Sequence, residues 1–278
     1  MSASISQLWD GSTSKPQTVD YQTDGSARFV SPLGRKYTVS AMPDAIGLSE
    51  TPATTVRDAV DTYNTLAAKT FVATNNVNLS DAGRRNALFE PQKIALLTFS
   101  ALAADLKKYR LATDKREAQL FALPPLNLAL AGPAIAEWEI RSWYAAQPPQ
   151  AQADIVTQAC QTTEGEAVIA ALLRGPGAGM NPAIKGIRES WQDVRRRSNA
   201  TEAEAIDAQR AAADWAHEQL AMIVAMGLQL TTIWGKVDVI KLLLQPGAGS
   251  GLDYEIFGFT DKDVRQAQQS LQFQSAAV

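Results

Sequence analysis

One cysteine and one histidine are all that 278 residues supply, and that shortage closes off several kinds of chemistry. Cys160 has no second cysteine for an internal disulfide, and together with His217 it falls short of the nitrogen and sulfur ligands of a zinc site. A lone thiol suits a reducing compartment. Any Ser-His-Asp or Cys-His nucleophile would have to be built on His217, which stands near Trp215 and Glu218 with no nucleophile motif around it. Positive charge is short as well. Lysine and arginine number 26 against 29 acidic residues, a net charge of −3, so no overall field draws the chain to nucleic acid or anionic lipid. The start, MSASISQLWDGSTSKPQ, has neither the basic opening nor the apolar run of a secretory signal. Folding in a cytoplasm is therefore expected.

Uninterrupted apolar spans are also missing. Residues 118–136 carry no charge, but Pro124, Pro125 and Pro133 would break a helix of the roughly 20 residues a bilayer needs. A buried loop or two short helices is expected there. Residues 219–235 are likewise uncharged, yet they are slightly short and carry Gln219, Gln229, Thr231 and Thr232, which reads as a core helix. Two similar glycine loops, at 172–179 and 243–249, lack the G-x-x-x-x-G-K-[ST] pattern and follow no strand of a βαβ unit. They read as helix stops, with Lys185 and Arg188 after the first leaving only weak anion binding open.

What the chain does have is alanine and helical rhythm. Alanine clusters, as in residues 101–104 and 211–213, favour closely packed helices. The longest continuous pattern runs from Thr201 to Leu244. Thr201 and Glu204 form a capping pattern at its start. Ile206, Ala213, Leu220, Gly227 and Trp234 then recur every seven residues, with Ala216, Ile223 and Leu230 completing a seam. Earlier, Val56, Val60, Tyr63, Ala67 and Phe71 predict a helix from about Ser49, with Pro52 in its first turn. A second helix is predicted from Asp81, interrupted or restarted at Pro91, and continuing to about Phe121; its stretch 94–102 is apolar on every face, which suggests a central position. Further on, Asn181 and Pro182 open a helix whose apolar face is Ile184, Ile187, Trp191 and Val194, closed by Arg195, Arg196 and Arg197.

The first 48 residues differ. Residues 18–22, 27–30 and 36–39 alternate apolar with polar side chains and are separated by turn chemistry, which predicts a three-stranded meander lying on the helical body or on a neighbouring subunit. The expected fold is mainly α: a multi-helix body around a long central helix at about 201–244, with a small N-terminal β meander or arm. The expected divisions are an arm at 1–48, helical subdomains at 49–147 and 151–259 separated by Pro148-Pro149, and a short helix with a polar tail at 260–278, the helix capped by Thr260 or Asp261.

No catalytic, cofactor-binding or metal-binding residue is assigned. Among the carboxylate pairs, only Glu137 and Glu139, which flank Trp138, are candidates for acid/base work, although residues two apart point to different sides of a helix. The interaction candidates are Tyr21, Phe29 and Tyr37 in the arm and the basic run Arg195, Arg196 and Arg197. That run, with Arg84-Arg85 and Lys107-Lys108, leaves local DNA contact open, while solvated charge at helix ends is the simpler reading.

In composition and arrangement, with a polar β-rich arm and a polar tail on an alanine-rich helical body, the chain resembles structural proteins of tailed-bacteriophage particles, either connector components or internal virion proteins. The resemblance implies a non-enzymatic virion component assembled in the host cytoplasm, with copies of itself and other structural proteins as partners, forming a ring or shell through helix packing and arm exchange. The alternatives are an ejected protein contacting membrane or DNA, with membrane contact not expected in the assembled state, and an enzyme using Glu137 or Glu139. No cofactor is implied.

Overall fold

A computed structural model describes residues 6–9, 16–21, 26–30, 36–40, 51–123, 131–162, 165–175, 182–231, 233–245 and 254–275. The expected cap at Asn181, the prolines at 124 and 125, and the glycine runs at 176–179 and 247–251 lie outside these residues. The architecture is mainly α with a small N-terminal sheet. Elements run in the order β1 (Ser6–Trp9), β2 (Pro16–Tyr21), β3 (Ala27–Val30), β4 (Lys36–Val39), α1 (Thr51–Asn75), α2 (Asp81–Leu120), α3 (Ala131–Ala145), α4 (Pro149–Ala159), α5 (Gly165–Leu173), α6 (Pro182–Ser198), α7 (Ala200–Leu230), α8 (Lys236–Leu243) and α9 (Asp261–Ser275). Two compact units share the chain: Met1–Ala112 with Ala208–Val278, and Thr113–Asp207.

The divide expected at Pro148-Pro149 is not where the units separate. Those prolines only part α3 from α4 within one unit, Pro148 supplying an extended N-cap and Pro149 the first helical residue. The chain changes unit inside α2 and again inside α7. A helix continuing through two cores leaves no break in composition to read.

In the first unit the sheet is antiparallel in the order β1-β2-β3-β4, with Ser6 opposite Val19, Asp20 opposite Arg28 and Phe29 opposite Tyr37. The expected three strands are present, and β1 adds a fourth. Pro16 sits at the first position of β2, where a strand tolerates a missing N–H. The end of the meander is tied to its own chain: Val39 enters the core, Ser40 N–H donates to Gln219 Oε1 at 3.3 Å, and Trp215 Nε1 donates to Ser40 Oγ at 3.0 Å.

The core beneath joins one face each of α1, α2, α7 and α8. Val56, Val60, Tyr63 and Ala67 of α1 are buried as their spacing predicts. So are Ala213, Ala216, Leu220, Ile223 and Leu230 of the α7 seam, all within the same core cluster. Gly227 stands where α7 meets Phe99 of α2, and a β-carbon there would lie 2.6 Å from Phe99 Cε2. On α2, Leu96 and Phe99 are buried while Ile94 is exposed, so the all-round apolar stretch does not sit centrally on every side.

Two expected helix bounds change for local reasons. The rhythm of 201–244 is carried by two helices. α7 ends at Leu230, where buried Gln92 donates from Nε2 to the Leu230 carbonyl at 2.7 Å and Thr231 Oγ1 donates to the Leu228 carbonyl at 2.8 Å. Those groups satisfy carbonyls that a further turn would have used. At its start, α7 begins directly after α6, with Asn199 turning between them and its carbonyl accepting the Ala203 N–H at 2.9 Å, so Thr201 and Glu204 are already inside the helix and not at its cap. Helix α2, by contrast, runs unbroken through Pro91. The proline removes one hydrogen bond, and Leu88 and Gln92 on either side of it are buried, which holds the helix in place.

The expected polar tail is helix as far as Ser275. Ala267 is buried in the core, and Thr260 with Asp263 forms a reciprocal cap: the Thr260 N–H donates to Asp263 Oδ2 at 2.8 Å, and the Asp263 N–H donates to Thr260 Oγ1 at 3.3 Å. Lys236 Nζ lies 2.6 Å from the same Asp263 oxygen. The Lys236 hydrogen bond first, then those from Thr260, hold the Asp263 carboxyl far below the usual carboxylate range.

The second unit packs α3 to α6 with the adjoining ends of α2 and α7. Its core includes Ile169 and Ala170 of α5 and Ile187, Trp191 and Val194 of α6, the last three on the predicted face. Trp191 Nε1 donates to the Phe121 carbonyl at 2.8 Å. Helices α4 and α5 meet so closely that a β-carbon on Gly165 would fall 1.9 Å from the Ala159 carbonyl oxygen.

Gly227→Ala is expected to destabilise the first unit by about 1–3 kcal/mol, because the added methyl must displace Phe99 in a close-packed core, and Gly227→Ala with Phe99→Leu should recover part of the loss; urea denaturation measures both. A Gly227→Ala variant as stable as the parent would contradict the close approach. Asp263→Asn should lower stability at pH 7. A carboxyl that titrates lower in the folded than in the unfolded chain stabilises the fold above its ordinary pKa, and that contribution fades as pH falls below about 4. The gap between parent and variant should therefore narrow progressively with acid, and a constant gap from pH 7 to pH 2 would disprove the role.

Candidate functional site

The interaction candidates fall into two groups. Tyr21, Phe29 and Tyr37 have their backbone in β2, β3 and β4, with Phe29 and Tyr37 directly paired. Their side chains lie outside the described residues.

Arg195, Arg196 and Arg197 stand in the last turn of α6, as predicted, with Arg195 and Arg196 half-buried and Arg197 exposed. Each is used within the second unit. Arg195 Nε donates to the Leu120 carbonyl at 3.0 Å, its Nη1 lies 3.7 Å from Glu166 Oε2, and the guanidinium sits 5.6 Å from the Trp191 ring centroid. Arg196 spans Asp207 Oδ2 at 2.7 Å and Glu117 Oε1 at 3.2 Å. Arg197 Nη2 donates to the Cys160 carbonyl at 2.8 Å. The run therefore braces the ends of α2 and α4 and the starts of α5 and α7 against α6. Its partners lie up to 79 residues away in sequence, which is why local reading took the run for free charge.

Glu137 and Glu139 do not converge. Glu137 is only 9% exposed, whereas Glu139 faces solvent. Both oxygens of Glu137 are engaged: Oε2 accepts from Arg141 Nη1 at 3.3 Å, and Oε1 pairs with Arg174. Arg141 also donates to the Ala171 carbonyl of α5 at 3.2 Å. His217 is half-buried on α7. Among the described residues, no group of three or more His, Cys, Asp and Glu is placed to hold a metal ion, and no helix is long and apolar enough to cross a membrane.

Those pairings bring out the feature that sequence reading missed. On a helix, residues 137, 141 and 144 share one face, and residues 135, 138 and 142 share the opposite one, with 143 beside it. In α3 the first face, Glu137, Arg141 and Tyr144, is turned toward α5, and Tyr144 packs on the unit's core. The second presents Ile135, Trp138 and Trp143 to solvent, Trp138 at 63% exposure. Glu139 lies on that side too, one turn from Ile135 and from Trp143, so large apolar and acidic side chains share the exposed face. The available signal was a polar i, i+4 pair, Glu137 and Arg141, with Ile135 and Trp138 three residues apart on the other side. Spacing defines two stripes but not which of them points inward.

Comparison with protein-family models, curated proteins and solved structures returns no match to this chain.

Arg195→Met keeps most of the side chain's volume and removes its polar contacts. The expected loss is about 1.5–3 kcal/mol in urea denaturation, the usual contribution of a charge-assisted hydrogen bond, with no change in retention on DNA at low salt. Unchanged stability together with weakened DNA retention would restore the surface reading.

Proposed function

We propose that the protein is a non-enzymatic assembly component that packs against copies of itself and other structural proteins, as a ring- or shell-forming part of a tailed-bacteriophage particle. The observation that carries the assembly reading is the outward side of α3, where Ile135, Trp138 and Trp143 are exposed around Glu139. Monomeric proteins seldom leave two tryptophans and an isoleucine of one short helix in water without a partner, and tryptophan is enriched where proteins meet. A tryptophan buries roughly 150–250 Å². With about half of that exposed on each ring, covering the pair at ~25 cal/mol per Å² is worth on the order of 5 kcal/mol. The phage-particle part rests on the resemblance of composition and arrangement. The docking of β4 on α7 through Val39 and Ser40 limits any arm exchange to the strands before them.

Sedimentation velocity over a wide concentration range tests the reading. The parent chain should form species larger than a monomer, and Trp138→Ser with Trp143→Ser should shift them toward monomer while leaving helical content unchanged. A parent that stays strictly monomeric at every concentration overturns the proposal. Co-flotation of the parent with anionic vesicles, lost in the double variant, would assign the same face to a lipid surface instead.

A further inference from the structure

Of the basic pair near the start of α2, Arg84 lies 3.5 Å from Asp81, while Arg85 faces solvent. Arg85, Phe89 and Lys93 recur every four residues and share one stripe of the helix. A cation therefore stands about 6 Å along the axis to either side of the Phe89 position. Phe89 itself is 46% exposed.

The turn after α7 supplies what lies behind that ring. Buried Gln92, three residues from Phe89, donates to the Leu230 carbonyl and so ends α7 against α2. The chain then turns, the Trp234 N–H donating to the Thr231 carbonyl at 3.2 Å, and Trp234 packs on the core. Phe89 stacks on Trp234, with ring centroids 4.9 Å apart and planes 26° from parallel. One face of Phe89 is thus backed by a second ring, and its open area belongs to the other. Both rings, Lys93, Asp238 and Lys241 line a depression of about 430 Å³, a volume within the range of ligand sites. Lys241 is half-buried and Asp238 is exposed, while Lys93 lies 3.8 Å from Glu90.

We propose that this depression binds single-stranded nucleic acid, with one unpaired base stacked on Phe89 and Arg85, Lys93 and Lys241 meeting the phosphates to either side. An aromatic ring held flat against another is a stacking platform, and cations spaced along it follow a backbone. The Asp238 carboxylate is an acceptor for the N–H groups of a base or the hydroxyl of a sugar. A duplex keeps its bases paired and stacked on one another, so it has none to offer the ring. A free nucleotide carries its phosphate at one end and would leave the cations on the other side unused. Three cations against Glu90 and Asp238 make the site weakly positive in a chain of net charge −3, so binding is modest and confined to this patch. At about −0.7 per phosphate contact, three cations give a slope of roughly −2 in log affinity against log salt. The site stands independently of the α3 surface.

Fluorescence anisotropy of a labelled oligothymidylate with the full chain at low salt tests this. The parent should bind with that slope. Phe89→Leu keeps an apolar side chain but removes the ring, and should bind roughly tenfold more weakly or worse. Phe89→Trp, which keeps a stacking surface, should bind as the parent does. Lys241→Gln should weaken binding and reduce the slope by about 0.7. Circular dichroism of all three variants should match the parent. A parent that does not bind at low salt overturns the proposal, as does a folded Phe89→Leu that binds equally well. A duplex of the same length that competes as strongly as the strand overturns the stacking and leaves a general charge effect. Displacement by thymidine monophosphate at a matched concentration of nucleotide overturns the strand and assigns the depression to a free nucleotide.

Discussion

Helices α2 and α7 can run side by side in the first unit only because one of them lacks a side chain where they meet. Phe99 is fully buried against Gly227, at a distance that leaves no room for a β-carbon. Seven residues earlier on the same face of α2, buried Gln92 reaches the carbonyl of Leu230, and eleven residues later Arg110 pairs with Asp214 at 3.0 Å. These contacts run antiparallel along the two helices. They place the small residues Ala212, Ala213 and Ala216 in the buried part of α7, and they fix where α7 stops. Everything else in that unit is arranged around this line: Val39 and Ser40 hold the sheet to α7, Val56 to Ala67 bring α1 into the same cluster, and Ala267 seats α9.

Much of this was legible in the sequence because it is periodic. The α7 seam, the α1 stripe and the α6 face all follow from spacing alone, since a helix repeats its direction every 3.6 residues and water penalises an exposed apolar row. The meander was legible from alternation and turn residues. Period carries no information about partners far away in sequence, and the errors lie there. Pro91 reads as a break, but the helix survives the loss of one backbone bond because buried neighbours on both sides keep it in register. Leu230 shows no stop signal of its own, since the group that satisfies its carbonyl belongs to Gln92. The arginine run reads as surface charge because Glu117, Glu166 and Asp207 are placed against it only by the fold.

The same limit governs the candidate site. Three exposed apolar residues of α3 could be located from the chain, yet not recognised as exposed, because the ordinary expectation puts tryptophan inside and glutamate outside. What reverses that expectation is Arg174, one residue beyond α5. It meets Glu137 from the far side while Arg141, one turn along α3, holds the other carboxylate oxygen and the Ala171 carbonyl. With α3 rotated by half a turn, Glu137 would be in water and the two arginines would lose their anion.

A buried ion cluster of this kind is a weak source of net stability, because taking the charges out of water costs about as much as their attraction returns. Its consequence is directional. Removing Glu137 would take the shared carboxylate from Arg141 and Arg174, so the cluster favours a single rotation of the helix. An apolar inner face would have tolerated several, with the tryptophans turning inward at a gain in burial. The arrangement thus forgoes the larger hydrophobic term within the unit and keeps Ile135, Trp138 and Trp143 at the surface. Covering that surface would stabilise it, which under the proposed assembly role makes the rotation of α3 intelligible.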